Sequence, residues 1–158
     1  MGGRKVSRRV ARHMTRLDAL STGLAAALRH ASEQGRRSAC LAACEFAVQR
    51  TGIESPLVIN ALRSLRSLKP LSPDDRGALD ALAGKLDDEY FGLQEDAEDG
   101  RATVEDHMRP FRQARAVAAL SFAGDRDALE AANEAIYEAA SAVEDKQGLV
   151  AAVAKALE

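Results

Sequence analysis

The residues of this chain with the widest chemical repertoire are two thiols and three imidazoles: Cys40, Cys44, His13, His30 and His107. Cys40 and Cys44 stand four apart in SACLAACEF, one helical turn on one face. Helical neighbours at that spacing have Cβ atoms about 5–6 Å apart, whereas a disulfide needs about 3.5–4.5 Å. Buried free thiols are therefore expected, in keeping with a reducing cytoplasm. Zinc would need more ligands than this pair, and no Cys or His cluster supplies them. Two-iron helical bundles use a Glu-x-x-His pair, and no Glu precedes any of the three histidines at that spacing; His30 and Glu33 have the reverse order. There is no GxSxG elbow, no Walker loop and no GxGxxG. Neither cysteine has a His close in sequence, so a triad would have to assemble in space. The expectation is a non-enzyme with no catalytic residue, no metal and no cofactor.

Charge is the more informative chemistry. The net charge is −2, but its distribution is lopsided. Residues 1–16 carry six bases and no acid, and residues 17–69 seven bases and four acids. Residues 70–110 carry four bases and twelve acids, and residues 111–158 five bases and eight acids. Such asymmetry hints at a charged partner, or at a basic half folding against an acidic one. Asp87, Asp88, Glu89, Glu95, Asp96, Glu98 and Asp99 cluster within thirteen positions. Glu130, Glu134 and Glu138 repeat every four residues, a like-charge spacing that costs a helix roughly 0.2–0.5 kcal/mol per pair. Both acidic sets are ordinary solvated surface or a docking face for a basic protein, such as the phosphate-binding cleft of a nuclease. Arg4, Lys5, Arg8, Arg9, Arg12 and Arg16 form the opposite pole. They are a candidate phosphate-contacting set for a nucleic-acid-associated regulator. Against that reading, the helix after Ser55 offers Leu57, Val58, Ile59 and Asn60 where base-reading side chains would be needed.

The elements that must position these residues are helices. Sustained period-two alternation is absent, and Ala, Leu and Arg favour helix. The length of 158 residues suits one domain with a real core. Residues 1–6 read as a tail. The first helix carries Val10, Met14, Leu17, Ser21, Leu24, Leu28 and Ala31 on one face, with a break near Ser21-Thr22-Gly23 and a stop at Gly35. Ser38 opens the next helix, which Gly52 ends. Ser55-Pro56 and Ser72-Pro73-Asp74-Asp75 are cap-plus-proline starts. The second of these helices is expected to stop near Gly92, because the acids beyond it oppose the helix dipole, leaving an acidic loop to Gly100. Its Gly77, Ala81, Gly84 and Gly92 form a small-residue face, open to solvent or to a close neighbour. Thr103 and Asp106 resemble a capping box, and Pro110 should end or kink that helix. Phe111 to Ala123, apolar nearly all round, is expected as the central core helix. Leu129, Ala132, Ile136, Ala139, Ala140 and Val143 make the buried stripe of the next helix, and a last helix follows Asp145.

No apolar run approaches the length of a membrane span. A secretory signal is not expected, since no unbroken apolar stretch follows the early arginines. Val6 breaks the myristoylation pattern.

The run ARAVAALSFAGDRDALEAANEAIYEAASAVED, roughly the last third of the chain, resembles the Ala-rich helical pairs of small actinobacterial immunity proteins of polymorphic toxin systems. The shared features are Arg115 and Ala118-Ala119 in one helix, then Ala135-Ile136-Tyr137-Glu138-Ala139 and Asp145 in the next. The resemblance implies an all-helical protein that works by binding, and assigns no functional residue. The combined expectation is a single all-α bundle of six or seven helices, cytoplasmic, that docks a basic protein through residues 87–99 and the Glu130/Glu134/Glu138 face. The alternative is a nucleic-acid regulator using the N-terminal bases. The oligomeric state is left open.

Overall fold

The computed structural model describes residues 15–158. Within them are eight helices and no strand: α1 Arg16–Leu20, α2 Thr22–His30, α3 Glu33–Thr51, α4 Pro56–Leu65, α5 Pro73–Glu98, α6 Val104–Ala123, α7 Ala128–Ala142 and α8 Lys146–Ala156. The bundle is all-α as expected, with one helix more than the upper count of seven. The extra one arises at Ser21, whose extended backbone closes α1 while its Oγ accepts the Leu24 N–H and opens α2. That break falls where the sequence placed one; three other boundaries differ from the sequence expectation.

The first is α3, which begins at Glu33 and not at Ser38. Ser32 Oγ accepts the Gly35 N–H at 3.0 Å, so Gly35 lies in a capped first turn and does not end a helix. The second is α5, which runs past Gly92 to Glu98. Gly100 adopts φ +76°, its N–H donates to the Ala97 carbonyl, and the Arg101 N–H donates to the Asp96 carbonyl. This 6→1, 5→2 pair is a Schellman stop. The Arg101 guanidinium reaches Asp99 at 2.8 Å and Asp96 at 3.2 Å. A cation at the helix C-terminus thus offsets the acids that oppose the dipole.

The third is α6, which is continuous through Pro110. Its start has the full capping box: Thr103 Oγ1 accepts the Asp106 N–H, and Asp106 accepts the Thr103 N–H. Pro110 is buried. The Tyr90 ring of α5 packs on His107 before it and Phe111 after it, with centroids 5.6 and 5.2 Å away. One aromatic splint spans the hydrogen bond that proline removes, so packing overrides local propensity.

α6 is the axis of the bundle. Asp80–Ser121, Asp87–Arg115 and Tyr90–Phe111 pairs run α5 antiparallel to it. Arg115–Glu138 and Arg112–Glu144 do the same for the α7 side. Arg37–Ala123 and Gln113–Thr51 do so for α3. α8 lies against α3, α1 and α2 lie against α7, and α4 lies at the edge against α3, α5 and α6.

The core is mostly Ala, Leu and Val, as the shortage of aromatics requires. α7 is more enclosed than a single apolar stripe predicts: Ala131, Ala132, Ala135, Ala139, Ala140 and Ala142 are all buried. Alanine lets neighbouring helices approach closely on several sides. Where α6 ends, Gly124 touches Leu71, and a Cβ there would lie 2.7 Å from Leu71 Cβ. No helix of the described residues is long and apolar enough to cross a membrane.

Candidate docking surface

The acidic segment is helix, not loop, and this sorts its residues by direction. Asp87 is half-buried and accepts two bonds from Arg115, at 2.9 and 3.1 Å. Asp96 and Asp99 are held by Arg101. Asp88, Glu89, Glu95 and Glu98 are exposed and have no ion pair among the described residues. Asp88, Glu95 and Glu98 sit three, four and seven positions from Phe91, on one face. Phe91 is 59% exposed. The small residues Gly77, Gly84 and Gly92 are also exposed, with open space where a Cβ would stand.

The acidic row of α7 is divided. Glu130 faces solvent. Desolvation, together with the like charges of Glu134, Asp125 and Asp127, holds its carboxyl above the usual range. Glu134 pairs with Arg16. Glu138 is only 5% exposed and lies between Arg16 at 3.4 Å and Arg115 at 3.3 Å. The row is therefore not one open face, because two of its three acids are neutralised within the chain. Like charges one turn apart are tolerated because two guanidiniums stand over them.

The same network engages Arg16, one of the candidate phosphate-contacting residues. Its guanidinium bonds Glu134 and Glu138 and stacks 4.2 Å from the Tyr137 ring centre. Hydrogen bonding to Glu134 is the main cause that raises its already high pKa. Arg4, Lys5, Arg8, Arg9 and Arg12 lie outside the described residues, as does His13. Arg16, Glu134, Glu138, Arg115 and Asp87 together link α1, α7, α6 and α5. The basic and acidic ends of the chain meet there, which answers part of the charge asymmetry internally.

Sequence reasoning missed Arg37. It is 3% exposed, and its guanidinium donates to the Ala123 carbonyl at 3.1 Å and the Arg126 carbonyl at 2.8 Å. It is a buried cation at the C-terminal end of α6, where the dipole is negative. Position 37 sits on the apolar face with Cys40, Cys44 and Ala47, and a charge on such a stripe was the available signal.

Cys40 and Cys44 are buried and unbridged. Burial pushes the Cys40 thiol up to about 12 and the Cys44 thiol well above its ordinary value. Thiolates are the nucleophilic form, so neither is built for attack at neutral pH. Among the described residues no group of three or more His, Cys, Asp and Glu could hold a metal ion. A groove of about 440 Å³ lies between the start of α5 and the end of α6. Arg76 and Asp125 face each other across it at 3.6 Å. A second of about 320 Å³ is bounded by the Arg112–Glu105, Arg112–Glu144 and Arg50–Asp145 pairs. The charges of the second are matched to one another; the first also carries Asp80, which accepts a bond from the Ser121 hydroxyl, and Arg126, which has no ion pair among the described residues. No family model matches the chain, and neither a curated protein nor a solved structure matches it.

Proposed function

We propose that this is a non-enzymatic protein-binding module that docks a basic protein partner along the outer face of α5. One observation carries the reading. Arginines of the same chain bind Asp87, Asp96, Asp99, Glu134 and Glu138, while Asp88, Glu89, Glu95 and Glu98 stay exposed without a cation among the described residues. The unmatched acids surround an exposed Phe91 and a smooth small-residue stripe, so the face offers charge, an aromatic anchor and room for close approach. Glu130 is a further exposed acid on α7. In its finer form the reading is immunity-like: a cytoplasmic protein whose acidic helix occupies the basic cleft of a toxin. Such electrostatic decoys gain mainly in association rate and specificity.

The test is affinity capture from the source cell's lysate, with and without nuclease, followed by mass spectrometry. A discrete partner that survives nuclease supports the reading. The variant to run beside it reverses Asp88, Glu89, Glu95 and Glu98 to Lys, which leaves the internal pairs of Asp87 and Asp96 intact. It should keep its helical circular dichroism and lose the partner. Capture retained by that variant overturns the proposal. Recovery of nucleic acid alone would favour the N-terminal bases instead.

A further inference from the structure

Only four large hydrophobic residues among those described are exposed: Leu57, Ile59, Phe91 and Val104. Two of them head stripes of matching design. On α4 and its C-cap, Ile59 is followed by Arg63 and Arg66 at i+4 and i+7. On α5, Phe91 is followed by Glu95 and Glu98 at the same two offsets. These offsets put each set on one helix face, over about 10 Å of axis. All six residues are exposed. Arg63, Glu95 and Glu98 have no ion pair among the described residues, and Arg66 has one long, exposed contact to Glu45 at 3.7 Å.

The two stripes cannot meet within one molecule. α4 lies against the start of α5, where Leu57 and Ala61 border a small groove with Asp75 and Leu79. Phe91 is twelve residues beyond Leu79, about 18 Å along the helix.

We infer that the α4 stripe Ile59/Arg63/Arg66 of one copy docks on the α5 stripe Phe91/Glu95/Glu98 of a second copy. Laid parallel, the helices bring Ile59 to Phe91, Arg63 to Glu95 and Arg66 to Glu98. Laid antiparallel, Ile59 would meet Glu98, so the charge pattern selects the parallel register. The two surfaces differ, so the contact is head-to-tail and leaves a free stripe at each end of a pair. A helix of ten residues offers a small patch, which places the contact among weak, transient ones. The inference rests on the reading of α5 as a docking face for a basic partner, and names one such partner as a second copy of this chain.

The experiment is sedimentation velocity on the full chain over a wide concentration range, at low and high ionic strength. The expected result is a weight-average mass that rises with concentration at low salt and returns to the monomer at high salt. Ile59→Asp and Phe91→Asp should each abolish the rise, with unchanged circular dichroism; Glu95→Lys is the second α5 variant, should Phe91→Asp disturb Tyr90. Mixing Ile59→Asp with Phe91→Asp should restore a dimer that grows no further, because each supplies the stripe the other lacks. A wild type that stays monomeric overturns the inference. So does association that survives either variant, that ignores salt, or that fails to return in the mixture. Ile59→Asp leaves α5 intact and should still capture the outside partner. A wild type that captures the outside partner yet stays monomeric therefore sinks only this inference, whereas the four-lysine variant of α5 should lose both self-association and capture.

Discussion

Glu138 carries the most concentrated electrostatics in the described chain, a carboxylate closed in by two guanidiniums. Without Glu138, Arg16 keeps Glu134 and Arg115 keeps Asp87, so each guanidinium loses one of two carboxylates. Glu138→Ala should cost about 1.5–3 kcal/mol, the range for a hydrogen bond to a charged group and below the cost of an unpaired buried charge. Urea unfolding measures it, and a loss under about 1 kcal/mol would class the network with ordinary surface pairs. Glu130 behaves in the opposite way. Its folded carboxyl prefers the proton more than the unfolded one does, so ionising it at neutral pH opposes folding. Glu130→Gln should raise stability at pH 7, with the gain vanishing once the medium is acid enough to protonate the native residue. The thiols give a third signature. Unfolded cysteine ionises near its ordinary 9.0, whereas folded Cys40 holds its proton to about 12. Between those values the unfolded state binds fewer protons, so stability falls as pH rises, by about 1.4 kcal/mol per pH unit for each such thiol. A Cys40→Ala, Cys44→Ala chain should show a correspondingly flatter alkaline limb. Thiol reagents at pH 8 should label neither residue until the protein unfolds.

At the scale of the element, the C-terminal stop of α5 sets how far its acids project. Gly100→Ala places a Cβ in the left-handed region and should cost about 1–2 kcal/mol. The expected symptom is local: faster amide exchange at Gly100 and Arg101, whose N–H groups close the Schellman pair, with the α6 core unchanged. Uniformly faster exchange would show that the turn supports the whole bundle. Helix starts were legible in the sequence because a cap binds a backbone N–H three residues on. Ser72 with Asp75 and Thr103 with Asp106 formed as expected. Ser32 with Gly35 was a local cap that went unread, whereas the other two misjudged boundaries needed information from further away. The Gly92 stop ignored Arg101, and the Pro110 break ignored a tyrosine on the preceding helix. The acidic surface was legible as composition only. Which acids are consumed depends on partners 118 and 23 residues distant, and no periodicity encodes those.

At the scale of the whole molecule, the capping carboxylates tie stability to acid. Asp18 is held below its ordinary value mainly by the Thr15 backbone N–H, and Asp106 likewise by Thr103. Their stabilisation is present above the unfolded carboxylate pKa and is lost as pH falls through the folded one. The α1 and α6 starts should therefore loosen first on acidification, visible as early exchange at the Asp18 and Asp106 amides. The alanines of α7 set a different limit. Seven of them are buried, so each acts as a spacer of fixed length. In a saturation mutagenesis library scored for folding, those positions should accept glycine or serine at a cost and refuse anything larger. The outer residues of α5 should accept nearly everything. In a lineage of such proteins the outer face of one helix is thus free to vary, while the tightness of another keeps the scaffold from drifting.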